Sequence, residues 1–197
     1  MTHPALAGGV QSDVASPVVP VDCRRLLELL RAFAGLQELK PAELVVLPFL
    51  RELADKLRFA LDFRIDVRVD VSLDCPSCVS DRLPLEGALM NLIANARDAM
   101  PEGGCLWLGA QACTLADGGC PAVEISVRDS GAGMSAEAMS RVGTPFVTTK
   151  SRLPRAGMGL AATNGFVRQS GGTMALHSPV SGGLTVALRL PQFHALE

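Results

Sequence analysis

Two asparagines and an aspartate in one predicted helix have the spacing and the donor atoms of a metal site. Asn91, Asn95 and Asp98 are four and then three residues apart, so a helix places them on one face. Asparagine is a poor helix former because its amide competes for backbone hydrogen bonds, so two on one face require a reason. A solvated flank of the helix would explain either asparagine alone. The functional interpretation is that their oxygens bind a hard cation such as Mg²⁺, which also takes phosphate oxygens from its substrate.

A glycine-rich segment that begins at Asp129 directly follows a predicted strand. Glycines at alternate positions, Gly131 and Gly133, let the backbone turn tightly and approach a flat ligand. The Asp129 carboxylate at the end of the strand is an acceptor for an exocyclic amine proton. An ordinary turn explains the pattern equally well when the pattern is taken alone.

A second glycine-rich segment, from Gly157 to Ala161, opens another predicted helix, and the N–H groups at a helix N-terminus attract anions. The stretch between the two segments, from Pro145 to Ala156, is polar and basic. It is either a surface loop or a mobile lid whose Lys150 and Arg155 reach phosphates. The sequence contains no Walker A motif, so any nucleotide site is not of the P-loop type.

These segments must be positioned by a chain of 197 residues in which 48% are hydrophobic and 19% charged. That composition is typical of a soluble globular protein, and the net charge of −2 argues against nucleic acid as a partner. The patterns predict an α+β fold in which helices cover one face of a sheet. The predicted strands are Ile65–Val71, Cys105–Cys113, Val123–Arg128, Thr173–Ser178 and Leu184–Leu190. The predicted helices are Cys23 to about Leu39, Glu43–Leu61, Leu83–Met100, Ala136–Arg141 and Gly159–Ser170.

The chain shows neither a secretory signal nor an apolar run approaching the roughly 20 residues of a membrane span, so we expect a cytoplasmic chain without membrane contact. It could still be part of a larger, membrane-associated sensor. Cys75 and Cys78 form a single C-x-x-C pair with no second pair and no nearby histidine. We therefore expect no zinc site there and place the pair at the start of a connecting loop.

Taken together and in order, the chemistry-bearing segments resemble the N, G1, F and G2 boxes of sensor histidine kinases. The resemblance covers roughly residues 36–191 and is closest to hybrid and soluble-sensor kinases, given the sequences at 95–100 and 165–172. The four boxes are Asn91-x-x-x-Asn95, Asp129-x-Gly131-x-Gly133, Pro145-Phe146-x-Thr148-Thr149-Lys150 and Gly157-x-Gly159-Leu160-Ala161.

The resemblance implies a Bergerat ATP-binding fold, a two-layer sandwich of a mixed β-sheet with helices on one face, preceded by a helical stub. By position, Asn95 binds Mg²⁺ with Asn91 and Asp98 beside it near the phosphates, and Asp129 reads the adenine amino group. The adenine pocket is shaped by Gly131 and Gly133. The remaining residues border the lid and the phosphates: Thr148, Thr149, Lys150, Arg155, Gly157, Gly159 and Leu160. The resemblance also implies that Asn91, Asn95 and Lys150 are the catalytic residues.

The activity implied is transfer of the γ-phosphoryl group of Mg-ATP to a histidine on a separate dimerisation domain, with a response regulator receiver domain as a further partner. Related topoisomerases, mismatch-repair ATPases and chaperones carry a general-base Glu where this chain has Asn91, which argues against water activation. One alternative is a nucleotide-binding pseudokinase that signals by docking. Another is a serine kinase that acts on an anti-sigma antagonist, which the F box makes less favourable.

Two departures from the family pattern bear on that choice. Arg155 occupies the position where the G2 box usually begins with glycine, and none of His3, His177 and His194 fits a phosphoacceptor helix. We therefore divide the chain into a flexible tail at 1–21, the end of the dimerisation and phosphoacceptor helix region at 22–40, and the catalytic domain at 41–197. The segment 22–40 could form a homodimer contact.

Overall fold

A computed structural model describes residues 31, 34, 36, 38–115, 119–140 and 159–194. The described helices are α1 Val46–Ala60, α2 Arg82–Ala99, α3 Ala136–Ser140 and α4 Gly159–Gln169. The strands are β1 Ala42–Leu44, β2 Ile65–Val71, β3 Cys78–Ser80, β4 Gly104–Thr114, β5 Pro121–Asp129, β6 Thr173–His177 and β7 Leu184–Pro191.

Five strands form one mixed sheet in the order β2-β4-β5-β7-β6. The pair β2–β4 is parallel, and the other three pairs are antiparallel. The parallel pair needs a long crossover connection, and α2 lies within it. The predicted α+β fold with a mixed sheet is therefore confirmed.

The strands alternate between an apolar face and a polar face, and most of their buried side chains lie on the apolar one. In β2, for example, Ile65 and Val67 are buried while Asp66 and Arg68 are exposed. The helix α1 contacts β2 and β4, α2 contacts β5, and α4 contacts β6 and β7. Burial of apolar surface between these two layers supplies the main stabilising term of the fold.

The segment before α1 differs from the sequence prediction, which started a helix at Glu43. Residues Ala42–Leu44 instead form β1, antiparallel to β3, and the helix begins only at Val46. The physical reason is burial, because Leu44 is 5% exposed in the extended pairing. Pro48 then lies in the first turn of α1, where the missing N–H costs no helical hydrogen bond.

The segment after the C-x-x-C pair also differs from the prediction, which placed a loop there. Cys78–Ser80 is a strand, and Cys78 is fully buried. Burial raises the pKa of the Cys78 thiol to about 12, so this cysteine has no thiolate at neutral pH. It is a small core residue, and the two short strands tie the N-terminal segment to the body of the protein.

The predicted helix from Cys23 to Leu39 falls mostly outside the described residues. Arg31 is helical, but Leu36, Glu38 and Leu39 lie outside any helix. The Leu36 N–H donates to the Arg31 carbonyl at 2.9 Å, a bond across five residues of the kind that closes a helix C-terminus. Within the described part of the chain, no helix has both the length and the apolar character to cross a membrane.

Candidate functional site

The helix α2 carries the two predicted asparagines, and its N-terminus is held by Asp81. One carboxylate oxygen of Asp81 accepts a hydrogen bond from Leu83 N at 3.3 Å, which caps the helix. The other oxygen accepts from Lys40 N at 2.8 Å. The carboxylate thus fixes the start of α2 relative to the segment that leads into β1.

Asn91 and Asn95 lie at the edge of the buried face of α2. Both are half-buried, whereas Asp98 is exposed and bonds to the Arg97 guanidinium at 3.0 Å. The helix therefore presents the two amides on a partly accessible surface, with Asp98 further out. The buried face of α2 includes five side chains that are at most 4% exposed, the last of them directly after the helix: Leu85, Leu89, Leu92, Ala96 and Met100.

The first residue of α4 lies directly against Asn91. A Cβ built on Gly159 would lie 3.5 Å from the Asn91 Cβ, which is ordinary van der Waals distance. The buried Thr163 hydroxyl donates to the Ala88 carbonyl at 3.4 Å and links the two helices. Leu160 is half-buried and packs against the core. The N-terminus of α4 is thereby placed beside the asparagine pair.

Asp129 is the last residue of β5 and is 4% exposed. Its Oδ1 accepts hydrogen bonds from Gly131 N at 2.8 Å and from Leu184 N at 3.3 Å. Among the described residues, none donates to Oδ2, so this oxygen remains an acceptor. Burial raises the pKa of the carboxyl, and the two backbone N–H groups oppose part of that effect.

The two predicted glycines after Asp129 are required by packing within the protein. A Cβ on Gly131 would lie 2.6 Å from the Ala99 carbonyl oxygen, at the C-terminal end of α2. Gly133 has a φ of +74°, and a Cβ there would lie 2.7 Å from Ser178 Oγ. Both positions therefore exclude larger residues whether or not a ligand is bound.

The turn between β6 and β7 also belongs to the site, and the sequence interpretation did not include it. Gly183 has a φ of +82°, its N–H donates to the Gly131 carbonyl at 2.7 Å, and a Cβ there would lie 2.6 Å from the Asp129 carbonyl oxygen. Ser178 Oγ donates to the Gly183 carbonyl at 2.8 Å and accepts from Met134 N at 2.9 Å. The adjacent glycines at 182 and 183 were the available signal for this close approach.

Several predicted site residues fall outside the described part of the chain. These are Thr148, Thr149, Lys150, Arg155 and Gly157. The described residues of the site come from four separate segments, namely α2, the β5 end, the start of α4 and the β6–β7 turn.

The donor chemistry of α2 fits a hard cation. The described residues contain no group of three or more His, Cys, Asp or Glu side chains that could hold a metal ion by themselves. An amide oxygen such as that of Asn95 suits Mg²⁺, which retains waters and takes phosphate oxygens as further ligands. The residues present therefore suit Mg²⁺ carried in with a phosphorylated ligand.

Comparison with known proteins finds a matching family model and relatives that are sensor kinases. The model of the histidine kinase-, DNA gyrase B- and HSP90-like ATPase family matches residues 80–194. The sensor kinase CckA of Brucella abortus is 31% identical over 176 residues, which cover 85% of this chain and 19% of that protein. The histidine protein kinase DivJ of Caulobacter vibrioides is 35% identical over 115 residues, or 57% of this chain and 18% of that protein.

A solved structure shows the same fold. Full-length ShkA, crystallised with AMPPNP, superposes with a TM-score of 0.71 at 26% identity, covering 87% of this chain and 35% of that one. The chain spans about a fifth of the length of the curated relatives named above, which are 19% and 18% covered.

Proposed function

The chain belongs to the histidine kinase-, DNA gyrase B- and HSP90-like ATPase family, and from that premise we propose that it binds Mg-ATP and transfers the γ-phosphoryl group to a histidine on a separate dimerisation domain in two-component signalling. The observation that carries the proposal is the environment of Asp129. Its carboxylate is almost completely buried at a strand end. One oxygen is bound by two N–H groups, and the other receives no hydrogen bond from the part of the chain that the structure describes.

Such a carboxylate is suited to reading the edge of a base. An ionised carboxylate accepts hydrogen bonds but donates none, so Oδ2 favours a ring that presents an amine over one that presents a carbonyl. The two bonds to Oδ1 hold the side chain in one orientation before any ligand arrives, which lowers the entropy cost of binding. Adenine presents an exocyclic amine where guanine presents a carbonyl, and ShkA, a structural neighbour, was crystallised with an ATP analogue.

The asparagine pair then serves the phosphates. In the proposed complex Asn95 contributes its amide oxygen to Mg²⁺, with Asn91 and Asp98 near the phosphates and Gly159 and Leu160 at the start of α4. Bound Mg²⁺ would neutralise the charge on the transferring phosphoryl group. Lys150, Thr148, Thr149, Arg155 and Gly157 complete the proposed phosphate and lid contacts.

Asn91 supports transfer to a protein side chain over hydrolysis. A neutral amide is not basic enough to take a proton from water, whereas the general-base Glu of the related ATPases is. A site without a base holds ATP until an acceptor is delivered. We therefore propose a histidine-bearing dimerisation domain as the direct partner, supplied in trans or by a longer parent chain, and a response regulator receiver domain as the next acceptor.

The second candidate function is a nucleotide-binding pseudokinase that signals by docking. Arg155 at the first G2 position favours it. His177 ends strand β6 and His194 follows β7, so neither is presented on a helix.

Phosphotransfer to an added acceptor distinguishes the two candidates. The chain is incubated with γ-labelled ATP, Mg²⁺ and the isolated dimerisation helices of a relative such as CckA, with an acceptor His→Ala form of those helices as the control. A kinase labels only the histidine-bearing helices. Saturable ATP binding without any label on them would favour the pseudokinase.

A further inference from the structure

Ser178 directly follows β6 and connects two loops beside Asp129. Its hydroxyl accepts a hydrogen bond from Met134 N at 2.9 Å and donates one to the Gly183 carbonyl at 2.8 Å. Met134 lies 44 residues earlier in the chain, in the loop after β5, whereas Gly183 lies in the β6–β7 turn. Both distances are those of ordinary hydrogen bonds, and the side chain is half-buried. One hydroxyl thus holds the loop after β5 and the β6–β7 turn together.

A single peptide group lies between Ser178 and the Asp129 carboxylate. Its carbonyl, which belongs to Gly183, accepts the hydrogen bond from Ser178. Its N–H, which belongs to Leu184, donates to Asp129 Oδ1 at 3.3 Å. Because a peptide group is planar, the hydrogen bond at its carbonyl also fixes the direction in which its N–H points. We call this series of hydrogen bonds, from Met134 N through the Ser178 hydroxyl and the peptide group to Asp129, the Ser178 network.

The β6–β7 turn has two glycines at the point where it meets Asp129. Gly182 and Gly183 have φ values of +97° and +82°, in the region that favours glycine. A Cβ on Gly183 would lie 2.6 Å from the Asp129 carbonyl oxygen, so a larger residue does not fit. Glycines give the backbone unusual freedom to rotate, so hydrogen bonds must fix the orientation of the peptide groups here. Ser178 supplies one such bond, and the bond from Gly183 N to the Gly131 carbonyl at 2.7 Å supplies another.

We propose that Ser178 is a positioning residue that sharpens base recognition by orienting the Asp129 carboxylate, an inference that rests on the proposed ATP-binding function. Ser178 acts through the Leu184 N–H on Oδ1 and leaves Oδ2 for the base. A carboxylate that is held in one orientation before binding loses less entropy when a ligand arrives. Hydrogen bonds in series also polarise one another, so the bond from Ser178 strengthens the bond from Leu184 N.

The first measurement needs no nucleotide. Amide hydrogen exchange of Leu184, followed by NMR on the full chain, reports whether its N–H is held by Asp129. Ser178→Ala should speed this exchange at least about fivefold, the factor that corresponds to one ordinary net hydrogen bond. Ser178→Thr keeps the hydroxyl and should restore slow exchange. Ser126→Ala, a change at a half-buried serine within β5, is the matched control and should leave the exchange of Leu184 unchanged.

The second measurement tests base recognition by titrating ATP and GTP in the presence of Mg²⁺ and in the presence of EDTA. Ser178→Ala should narrow the preference for ATP over GTP by about fivefold, and Ser178→Thr should restore it. The tightening of ATP binding by Mg²⁺ should stay unchanged in both variants, because the asparagine pair lies on α2. All titrations are made well below the thermal unfolding midpoint of the least stable variant, so each protein is folded.

Different results would overturn different parts of the inference. Unchanged exchange of Leu184 in Ser178→Ala would overturn the Ser178 network. Faster exchange with an unchanged ATP/GTP ratio, as in equal weakening of both nucleotides, would overturn the role in specificity and leave the proposed function intact. A wild type that binds ATP no better than GTP would overturn the proposed adenine recognition and the role of Ser178 in it. In that case the exchange of Leu184 still decides whether Ser178 orients Asp129.

Discussion

We assign the Asp129 carboxylate two purposes, one for each oxygen. Oδ1 joins the loop after β5 to the start of β7 through Gly131 N and Leu184 N, so part of its role is structural. We propose that Oδ2, which accepts no hydrogen bond from the described residues, binds the ligand, as the sequence analysis expects. The two purposes predict different consequences of substitution, so experiments can separate them.

Replacing Asp129 by Asn should weaken ATP binding and narrow the preference for ATP over GTP. The amide can donate as well as accept, so it no longer penalises the guanine carbonyl, and the lost discrimination is about 1–3 kcal/mol. Parallel titrations of ATP and GTP on both proteins measure it. Asp70→Asn, a change at an exposed carboxylate of β2, is the control. An unchanged ATP/GTP ratio would leave Asp129 with its turn-capping role alone.

The same variant tests the structural role through pH. Burial raises the pKa of Asp129, so the folded protein binds a proton more readily than the unfolded chain. The stability of the wild type relative to Asp129→Asn should therefore fall as pH rises from the ordinary carboxyl range through the raised pKa, and then level off. Urea unfolding at a series of pH values measures the difference. The opposite slope would mean that the hydrogen bonds to Oδ1 outweigh desolvation.

The prediction for Asn95 concerns the effect of Mg²⁺ on ATP binding. Asn95→Ala should abolish the tightening of ATP binding by Mg²⁺, a loss of about 1–3 kcal/mol for one charge-linked contact, while the fold is retained. ATP titrations in the presence of Mg²⁺ and in the presence of EDTA measure how much of the binding free energy depends on Mg²⁺. Asn95→Asp keeps an oxygen donor and should restore it. Equal Mg²⁺ dependence in Asn95→Ala and the wild type would remove Asn95 from the site.

Among the secondary-structure elements, α2 is the one that positions most of the site. Its buried face packs against β5, its C-terminal end contacts Gly131, and its Asn91 contacts the start of α4. A small displacement of α2 would therefore move the asparagines, the loop after β5 and α4 together. The Asp81 cap, which also holds Lys40, controls where this helix begins.

Asp81→Ala should lower the stability of the protein by about 1 kcal/mol, because Leu83 N loses its capping partner. The urea midpoint should fall with an unchanged slope. Asp81→Ser, which can still cap, should recover most of the loss, and Asp74→Ala, an exposed carboxylate in a loop, should have little effect. Equal midpoints for Asp81→Ala and Asp74→Ala would show that the cap contributes nothing.

Across the whole molecule, the described core begins at Leu44 and ends at Leu190. The division at residue 41 predicted from the sequence lies just before this core. Two truncations test that boundary. A chain starting at Glu38 should unfold at the same urea concentration as the full chain. A chain starting at Val46 should be destabilised by about 1.5–3 kcal/mol or more, because it lacks β1 and the buried Leu44 side chain.

Equal loss in both truncations would instead assign residues before 38 to the core. The same two truncations also test whether the five-stranded sheet is independent of β1, because β1 pairs with β3 and not with that sheet. Its removal should destabilise the protein without changing the register of β2 and β4.

Local patterns in the sequence were enough to predict the class of the fold, the main helices and strands, and the candidate residues on α2 and after β5. Helical and strand periodicity are set by residues only a few positions apart, so both patterns are visible in the sequence before the fold is known. β1 and β3 were missed because three-residue strands are defined by their partner and carry no periodicity of their own. Only the tertiary structure decided which distant segments meet. The bond from Leu184 N to Asp129 depends on strand order and register, and the contact of Gly159 with Asn91 depends on how two helices pack on the sheet.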